Sequence, residues 1–567
     1  MKLVRNHGSM AQLAAWSLAA LLTSLVLLSS TLSGQAVQDA APGVSAPLVE
    51  EDVQHDLSPP LRELAAHFVP SDTKPPGESE EIPGVAAYGL KTQREATRPV
   101  STPLPAAPSG ANPFRIVQSF DGISTAELRA KRYYVANFAT DSSGAVGQNY
   151  FVETVNFAFA VFDKNGTLLA GPTPTSVFWS GFNAPCGPVN WSDVVVLYDR
   201  TAQRWFVSRF YQQNSNSPYY QCFAISQTDD PMGAYYRYAF LVSTTEFNDY
   251  PKFGIWPDAY YMTADRNKIY SGLGMFIIAF EREKMLRGGR ARRIMFTLNN
   301  DNRLAGMLPA DWDGVLPPPA GASDYLIRPT STALGWYADT LELWQFHVNW
   351  YTPSASTLRR TDVLHPHAYS PPCIGNQSCV PQPGTTNALD PLAWGYVMYR
   401  LAYRNFGDHE SLVLNHTVEV HDLGADLHVG IRWYELRKDG GSWSIYQQGD
   451  YAPDSDHRWI GSLAQDRYGN MALGYNVSGS RYPSIAFAGR LAQDPLGTLS
   501  QETTIQEGGG SQTGYIFWGD YSQLTLDPAD DCTFWYVGAY QSSTHHDQAW
   551  ATRIVAFRSE QCDRHRL

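Results

Sequence analysis

The chain reads as an all-β protein built as a β-propeller, and three features point there. From Phe114 onward Tyr, Trp and Phe are dense, Gly and Asn punctuate short apolar runs, and no long helical periodicity appears. A body of roughly 450 residues exceeds the size of one sandwich or small barrel, which runs nearer 100 to 250 residues. A degenerate repeat of strand, Asp-led turn and strand recurs along that body.

The repeat is clearest in Asp193-VVVLY-Asp199-RTAQRWFVSRF, Ile460-GSLAQ-Asp466-RYGNMALGYN and Asp520-YSQLTL-Asp527-PADDCTFWYVGAY. Asp163 in FDKNGTLL and Asp258 in GIWPDAYYMTAD mark looser copies. An aspartate at each turn accepts hydrogen bonds from backbone N–H groups a few residues on, so a structural role suffices for these residues. The copies predict six blades, starting near Asn149, Asp193, Lys252, Glu410, Trp459 and Asp520, and the repeat also accommodates five or seven. The span 285–391 is less regular and is expected to hold loops or an insertion.

Ahead of the body lie two segments of other character. Residues 1–36 read as a signal peptide: Lys2 and Arg5 precede an apolar stretch from Ala14 to Leu28, and small residues up to Ala36 offer a cleavage point. An uncleaved anchor is the alternative reading of that stretch. Residues 37–113 are rich in Pro, Ala, Ser and Glu and read as a disordered linker, stalk or pro-segment, with one short helical pattern from Pro59 to Phe68. The mature form is expected to have no membrane span and to be secreted, periplasmic or displayed at the cell surface as a monomer.

Six cysteines in an exported chain predict three disulfides. Sequence cannot fix the pairing, but proximity favours Cys373 with Cys379, Cys532 with Cys562, and Cys186 with Cys222. No CxxC pair is present, which argues against zinc. The net charge is -13, and about -15 once Lys2 and Arg5 are removed with the signal. Such a surface repels phosphates, so nucleic acid is excluded as a partner.

In a propeller, residues just before the first strand of each blade crowd one mouth of the central channel. The expected blade starts put there Asn190, Ser192 and Asp193; Asp249, Tyr250 and Lys252; Asp408, His409 and Glu410; Asp454, Asp456, His457 and Arg458; and Trp518, Asp520 and Tyr521. Convergent carboxylates raise one another's pKa, which lets one serve as acid while another stays ionised. Glu410 or Asp520 is the expected general acid or base, with His409, Asp456, Arg458 and Asp193 in support. Asp249, Tyr250, Lys252, Asp408, His457, Trp518 and Tyr521 are expected to bind substrate, the aromatic rings by stacking on sugars. Two other readings compete: polar links that close the ring between blades, and a structural Ca²⁺ held by Asp193, Asp408 and Asp520. No other cofactor is expected. No GxSxG elbow or HExxH motif is present.

The segments Asp249-YPKFGIWPDAYYMTAD, Arg404-NFGDHESLVLNHT, Tyr451-APDSDHRWIGSLAQDRYGNMALGYN and Gly510-SQTGYIFWGDYSQLTLDPADDCTFW resemble a family of secreted, uncharacterised bacterial proteins with sialidase-like propeller folds. The resemblance spans Phe120 to Cys562 and implies fold and export rather than a catalytic residue. True sialidases need three arginines; Phe114-Arg-Ile-Val is similar to their FRIP motif, and Arg404 and Arg458 are candidates to join Arg115. The chain is thus expected to be a glycan-acting hydrolase or lyase, or else a non-catalytic propeller that binds carbohydrate or a cell-surface protein.

Overall fold

The computed structural model describes residues 43–68, 110–133 and 139–563, apart from 184, 188–190, 215–216, 269–270, 300–305, 375–376, 393–394, 422–426 and 547. The expected signal peptide, most of the linker, and Asn190 lie outside the described residues.

The body is a β-propeller, and among the described residues its strands group into seven four-stranded antiparallel meanders carried on six hydrogen-bonded sheets. The first meander runs Ser143–Val146, Tyr150–Val155, Ala158–Asp163 and Leu168–Pro174. The second runs Val195–Asp199, Arg204–Gln212, Tyr219–Ser226 and Tyr235–Ser243, and the third Phe247–Ile255, Tyr260–Lys268, Ser271–Phe280 and Arg292–Asn299. The fourth comprises Leu308–Asp313, Asp324–Thr330, Thr340–His347 and Thr357–Leu364; the fifth, Leu401–Asn405, Glu410–His421, Leu427–Lys438 and Ser444–Tyr451. These two share one eight-stranded sheet, because Ala310–Asp313 pair in parallel with Leu401–Arg404. The sixth runs His457–Gln465, Met471–Ser478, Ser484–Arg490 and Thr503–Gln506. The seventh takes Gln523–Leu526, Phe534–Gln541 and Trp550–Ser559 from the end of the chain and is completed by Phe114–Ser124. Pairing of the first body strand with the last closes the ring, and the seven first strands neighbour one another in cyclic order.

Burial explains why the strands are apolar runs rather than alternating ones. Each inner strand is covered on both faces by adjacent meanders: all nine residues of His457–Gln465 are buried, as are all eight of Met471–Ser478. Thr357–Leu364 is an outer strand with one buried residue, and its sequence is correspondingly polar. The Asp-led turns form as expected. Asp163 Oδ1 accepts from the N–H groups of Asn165 and Thr167, and Asp466 Oδ1 from those of Tyr468 and Asn470. Asp527 Oδ1 accepts from the Ala529 N–H.

Three expectations need correction. Part of the expected linker is ordered: Gln54–Leu57 adds a fifth strand to the second meander and Leu48–Glu51 to the third. Its charges find partners there, Asp56 on Arg237 and Glu50 on Arg293. The expected short helix forms at Leu61–Ala66. The expected insertion at 285–391 contains regular sheet, since Arg292–Asn299 and the whole fourth meander fall within it, and the stretch without named strands begins after Leu364. Finally, Glu410 opens the second strand of its meander, not the first, so Asp408 and His409 occupy a hairpin turn at the far end of the first strand from the other starts.

The three disulfides join Cys186 to Cys222, Cys373 to Cys379 and Cys532 to Cys562. The last ties the turn region of the seventh meander to its closing end. Among the described residues no helix is long and apolar enough to cross a membrane.

Candidate active site

Five aspartates and one lysine meet where the first strands begin. Asp141 precedes the first strand of the first meander, Asp193 that of the second, and Asp520 and Tyr521 that of the seventh. Asp249, Tyr250 and Lys252 stand on the first strand of the third. Asp265 lies near the end of the next strand, which runs antiparallel and so finishes at the same mouth.

The backbone is bent to place these groups. Asp141 has φ 44°, Asp193 52° and Tyr250 52°, all in the left-handed region. Aspartate tolerates that conformation, whereas for tyrosine it is strained and must be held by its surroundings. At Tyr250 the holding groups are visible. A register shift between Asp249 and Lys252 interrupts the ladder, the Asp249 carboxylate accepts from the Tyr250 N–H (3.0 Å), and the Tyr250 hydroxyl donates to the Asp520 carbonyl (3.1 Å).

Hydrogen bonds link the cluster across meanders. Asp141 accepts from the Asp520 N–H (2.6 Å) and from Asn156 Nδ2 (2.5 Å). Asp193 accepts from the Tyr521 hydroxyl (3.0 Å) and from Ser192 Oγ (3.1 Å). Asn267 donates to Asp249 (2.9 Å) and the Tyr396 hydroxyl to Asp265 (2.7 Å). Lys252 lies 2% exposed among them, its Nζ 2.9 Å from the centre of the Tyr250 ring and 3.5 Å from that of Tyr521. That Nζ makes no hydrogen bond among the described residues. Asp141 is buried, whereas Asp193, Asp249, Asp265 and Asp520 each keep some exposed surface. Tyr250, Lys252, Asp265, Met275, Met307 and Val397 surround a crevice with no room for a water molecule.

The charges are unmatched here, whereas two buried arginines elsewhere are fully paired. Arg404 is held by both oxygens of Asp531 (2.8 and 2.9 Å). Arg400, inside the channel, pairs with Asp311 and Asp313, both at 2.7 Å. At the mouth a single ammonium faces five carboxylates. Burial, reinforced by Asp193, pushes Asp141 up to about 7, and burial with Asp193 and Asp265 pushes Asp249 up to about 7. Burial raises Asp265 to about 6, although the Tyr396 hydroxyl and Lys252 oppose the rise. Asp520 is driven well above the usual carboxylate range, by burial and by Asp141 and Asp193. Asp193 is also raised by burial, but Lys252, Tyr521 and Ser192 favour its ionised form. Burial lowers the Lys252 ammonium well below its ordinary value, with the aspartates opposing.

The other expected site residues lie apart from this cluster. Glu410 accepts from Lys438 Nζ and the Tyr403 hydroxyl, both at 2.8 Å, in a buried pair at the opposite end of its meander. Asp408 is exposed and bound to His409 (2.7 Å), so Asp193, Asp408 and Asp520 do not converge on one cation. Among the described residues, the one set of three metal-ligand side chains within 4.8 Å is Asp466 with Cys532 and Cys562, whose sulfurs are joined as a disulfide. Asp456 and Arg458 belong to an ion-pair network of the sixth meander with Asp454, Arg481 and Glu502. His457 stacks on His428 and accepts from the Val429 N–H; burial pushes it down to about 4, where it is neutral at pH 7.

The three rings expected to stack on sugars already have partners within the protein. Lys252 covers the rings of Tyr250 and Tyr521, and Trp518 is buried against Trp459. The three candidate arginines of a sialidase site do not meet, since Arg115 pairs with Asp563, Arg404 with Asp531 and Arg458 with Asp454 and Glu502.

Sequence reasoning placed Asp193, Asp249, Tyr250, Lys252, Asp520 and Tyr521 at the mouth and missed Asp141, Asp265 and Tyr396. Asp141 shares with Asp193 a position two residues before a first strand, a signal hidden by the short and Gly-containing strand Ser143–Val146. Asp265 follows from antiparallel pairing once the preceding strand is placed, whereas Tyr396 comes from irregular chain that carries no repeat.

Among solved structures, the chain is similar to the endo-arabinase of Bacteroides thetaiotaomicron, at 11% identity over 54% of this chain and 95% of that chain, with a TM-score of 0.27. It is similar to a polysaccharide lyase at 10% identity over 78% of this chain and 97% of that one, with a TM-score of 0.35. A third is the α-L-arabinofuranosidase of Fusarium graminearum, at 8% identity over 62% of this chain and 89% of that one, with a TM-score of 0.32. No family model matches the chain, and no curated protein sequence matches it.

Proposed function

We propose that this protein is an exported glycoside hydrolase whose general acid is Asp520 and whose base or nucleophile is Asp193. The observation that carries the reading is the gathering of five carboxylates around one lysine at the mouth, four of those carboxylates partly exposed. Acetal hydrolysis needs one protonated and one ionised carboxyl flanking the bond to be cleaved. Asp520 suits the first task, because burial and its acidic neighbours favour its protonated form. Asp193 suits the second, with Lys252, the Tyr521 hydroxyl and Ser192 Oγ stabilising its charge.

In the cycle, Asp520 would deliver its proton to the departing glycosidic oxygen while Asp193 attacks the anomeric carbon or draws a proton from water. The left-handed backbone at Asp193 and Tyr250 fixes the two sides of the site before substrate arrives. Elimination from a uronic acid fits less well, since a substrate carboxylate would enter a field already dominated by five aspartates. The non-catalytic glycan-binding reading lacks a platform: the faces of Tyr250 and Tyr521 are taken by Lys252, and Trp518 is buried.

The test is release of new reducing ends from a panel of polysaccharides by the wild-type chain and by Asp520→Asn and Asp193→Asn. Turnover that falls by about 10²–10⁴-fold in both variants supports the assignment. Turnover that persists in both, or that is absent for the wild type across the whole panel, overturns it.

A further inference from the structure

Residues 45–68 precede the body in the chain, yet they are fastened to it from one end to the other. Leu48–Glu51 pairs with Arg292–Met295 on the rim of the third meander, and Gln54–Leu57 with Tyr236–Ala239 on the rim of the second. Between them the chain steps across at Asp52, whose N–H donates to the Ala291 carbonyl (2.9 Å) while its carboxylate accepts from the Ala291 N–H (2.7 Å). The Val53 N–H then donates to the Ala239 carbonyl (2.9 Å). Beyond the second strand, Ser58 exchanges hydrogen bonds with the backbone of Tyr235. Leu61 follows, wholly buried in the cluster that holds Val177, Phe178 and Trp179.

The body matches this segment in charge as well as in backbone pairing. Arg237 and Arg293 stand on the two rim strands, 2% and 1% exposed. Among the described residues, Arg237 finds its carboxylate only in Asp56, at 2.8 and 2.6 Å, and Arg293 only in Glu50. A desolvated guanidinium needs such a partner, and an uncovered sheet edge presents a row of unpaired N–H and C=O groups. One peptide meets both demands on both meanders. After it comes the Pro-rich stretch 69–109, and the chain is fastened afresh at Gly110, whose carbonyl accepts from the Gln501 N–H (2.7 Å). The hold of residues 45–68 on the body therefore does not depend on the stretch that joins them.

We infer that the rims of the second and third meanders form a docking surface for an extended acidic peptide, and that residues 45–68 are its resident occupant rather than a removable pro-segment. The mode of recognition is strand addition. Ladder hydrogen bonds supply affinity, and Arg237 and Arg293 select carboxylates at the positions of Asp56 and Glu50. A cut anywhere in 69–109 leaves the segment seated, so that the protein persists as two chains held without a covalent bond. Removal of the expected leader, residues 1–36, leaves the docked segment intact. Processing within 69–109 neither strips the segment from the body nor opens its rims.

The experiment uses the full chain with the site of a specific protease inserted within 69–109, cut at neutral pH and passed over a size-exclusion column. The expected result is that the N-terminal fragment elutes with the body at one to one and separates from it only when urea unfolds the body. In the double variant Glu50→Lys with Asp56→Lys, retention of the cut fragment is expected to fall by about tenfold or more, while the uncut variant stays folded. A fragment without those substitutions that elutes apart from the body overturns the inference, whether or not the body stays folded. Retention of the charge-reversed fragment as firm as that of the unsubstituted one overturns the selection of carboxylates by Arg237 and Arg293. The first readout needs neither substitution, so a double variant that fails to fold leaves it decisive.

Discussion

Replacing Glu153 by glutamine is expected to stabilise the protein at alkaline pH and leave it unchanged in acid. Glu153 stands on Tyr150–Val155 with none of its surface exposed, between the first and seventh meanders. It accepts from the Ile123 N–H (3.0 Å) and from Thr552 Oγ1, and the same threonine hydroxyl lies 3.0 Å from the Ile123 carbonyl. Burial pushes its carboxyl from 4.5 up to about 8, and these hydrogen bonds only partly oppose that. A carboxyl whose pKa is raised on folding favours the folded state below its unfolded value, and that contribution is lost as pH rises through the folded value. The window is therefore about pH 4.5 to 8. Three to four pKa units at about 1.4 kcal/mol each give a loss of about 4–5 kcal/mol by pH 8.5, an upper figure for one group. Glutamine keeps the shape and satisfies the site, since its oxygen can accept from Ile123 and its amide can donate to Thr552. Urea unfolding of the wild type and of Glu153→Gln at pH 5 and pH 8.5 tests this. The stabilities should agree within about 1 kcal/mol at pH 5 and differ by several kcal/mol in favour of the variant at pH 8.5. An equal loss of stability in the variant at both pH values would refute the electrostatic account of this buried carboxyl.

Other consequences follow from the same physics. Arg404→Ala strands Asp531 with only Arg200 as a charged partner and is expected to cost about 3–5 kcal/mol, read as a fall in the urea midpoint. Opening the Cys532–Cys562 bridge by a double serine substitution frees a loop of 30 residues and should cost about 3–4 kcal/mol, which a thermal melt would register as a lower midpoint. Lys252→Met removes the one cation at the mouth; the pH at which Asp193 must ionise then rises, so the acid limb of the turnover profile should move to higher pH by about one to two units. An unmoved limb would mean that Lys252 does not set the charge of Asp193.

The propeller was legible because its Asp-led turns use local hydrogen bonds that a short stretch of sequence fully specifies, as at Asp163, Asp466 and Asp527. The start of the fourth meander at Leu308 was not, for its first strand carries Pro309, Asp311 and Asp313, which look like loop residues until Arg400 is seen to neutralise the two aspartates. A polar pattern in a buried strand is explained only by a partner distant in sequence. The misplacement of Glu410 has the same origin. The first strand Leu401–Asn405 is only five residues long, and its pairing with Glu410–His421 and with the fourth meander is non-local. The edge strands Leu48–Glu51 and Gln54–Leu57 escaped notice because a fifth outer strand needs little apolar surface and is held by backbone pairing and by ion pairs to Arg237 and Arg293. At the mouth the sequence supplied the residues that precede clear strands, and only folding could add those, such as Asp265 and Tyr396, that arrive from strand ends and loops.

The most direct test of the central claim is infrared difference spectroscopy of the carboxyl groups at pH 7, with the wild-type spectrum taken against Asp520→Asn and against Asp193→Asn. The account predicts that the first difference contains a protonated carboxyl C=O band and the second an ionised carboxylate band, so that acid and base stand side by side in the resting protein. Two carboxylate bands, or two protonated ones, would contradict the division of roles on which the proposed hydrolase rests.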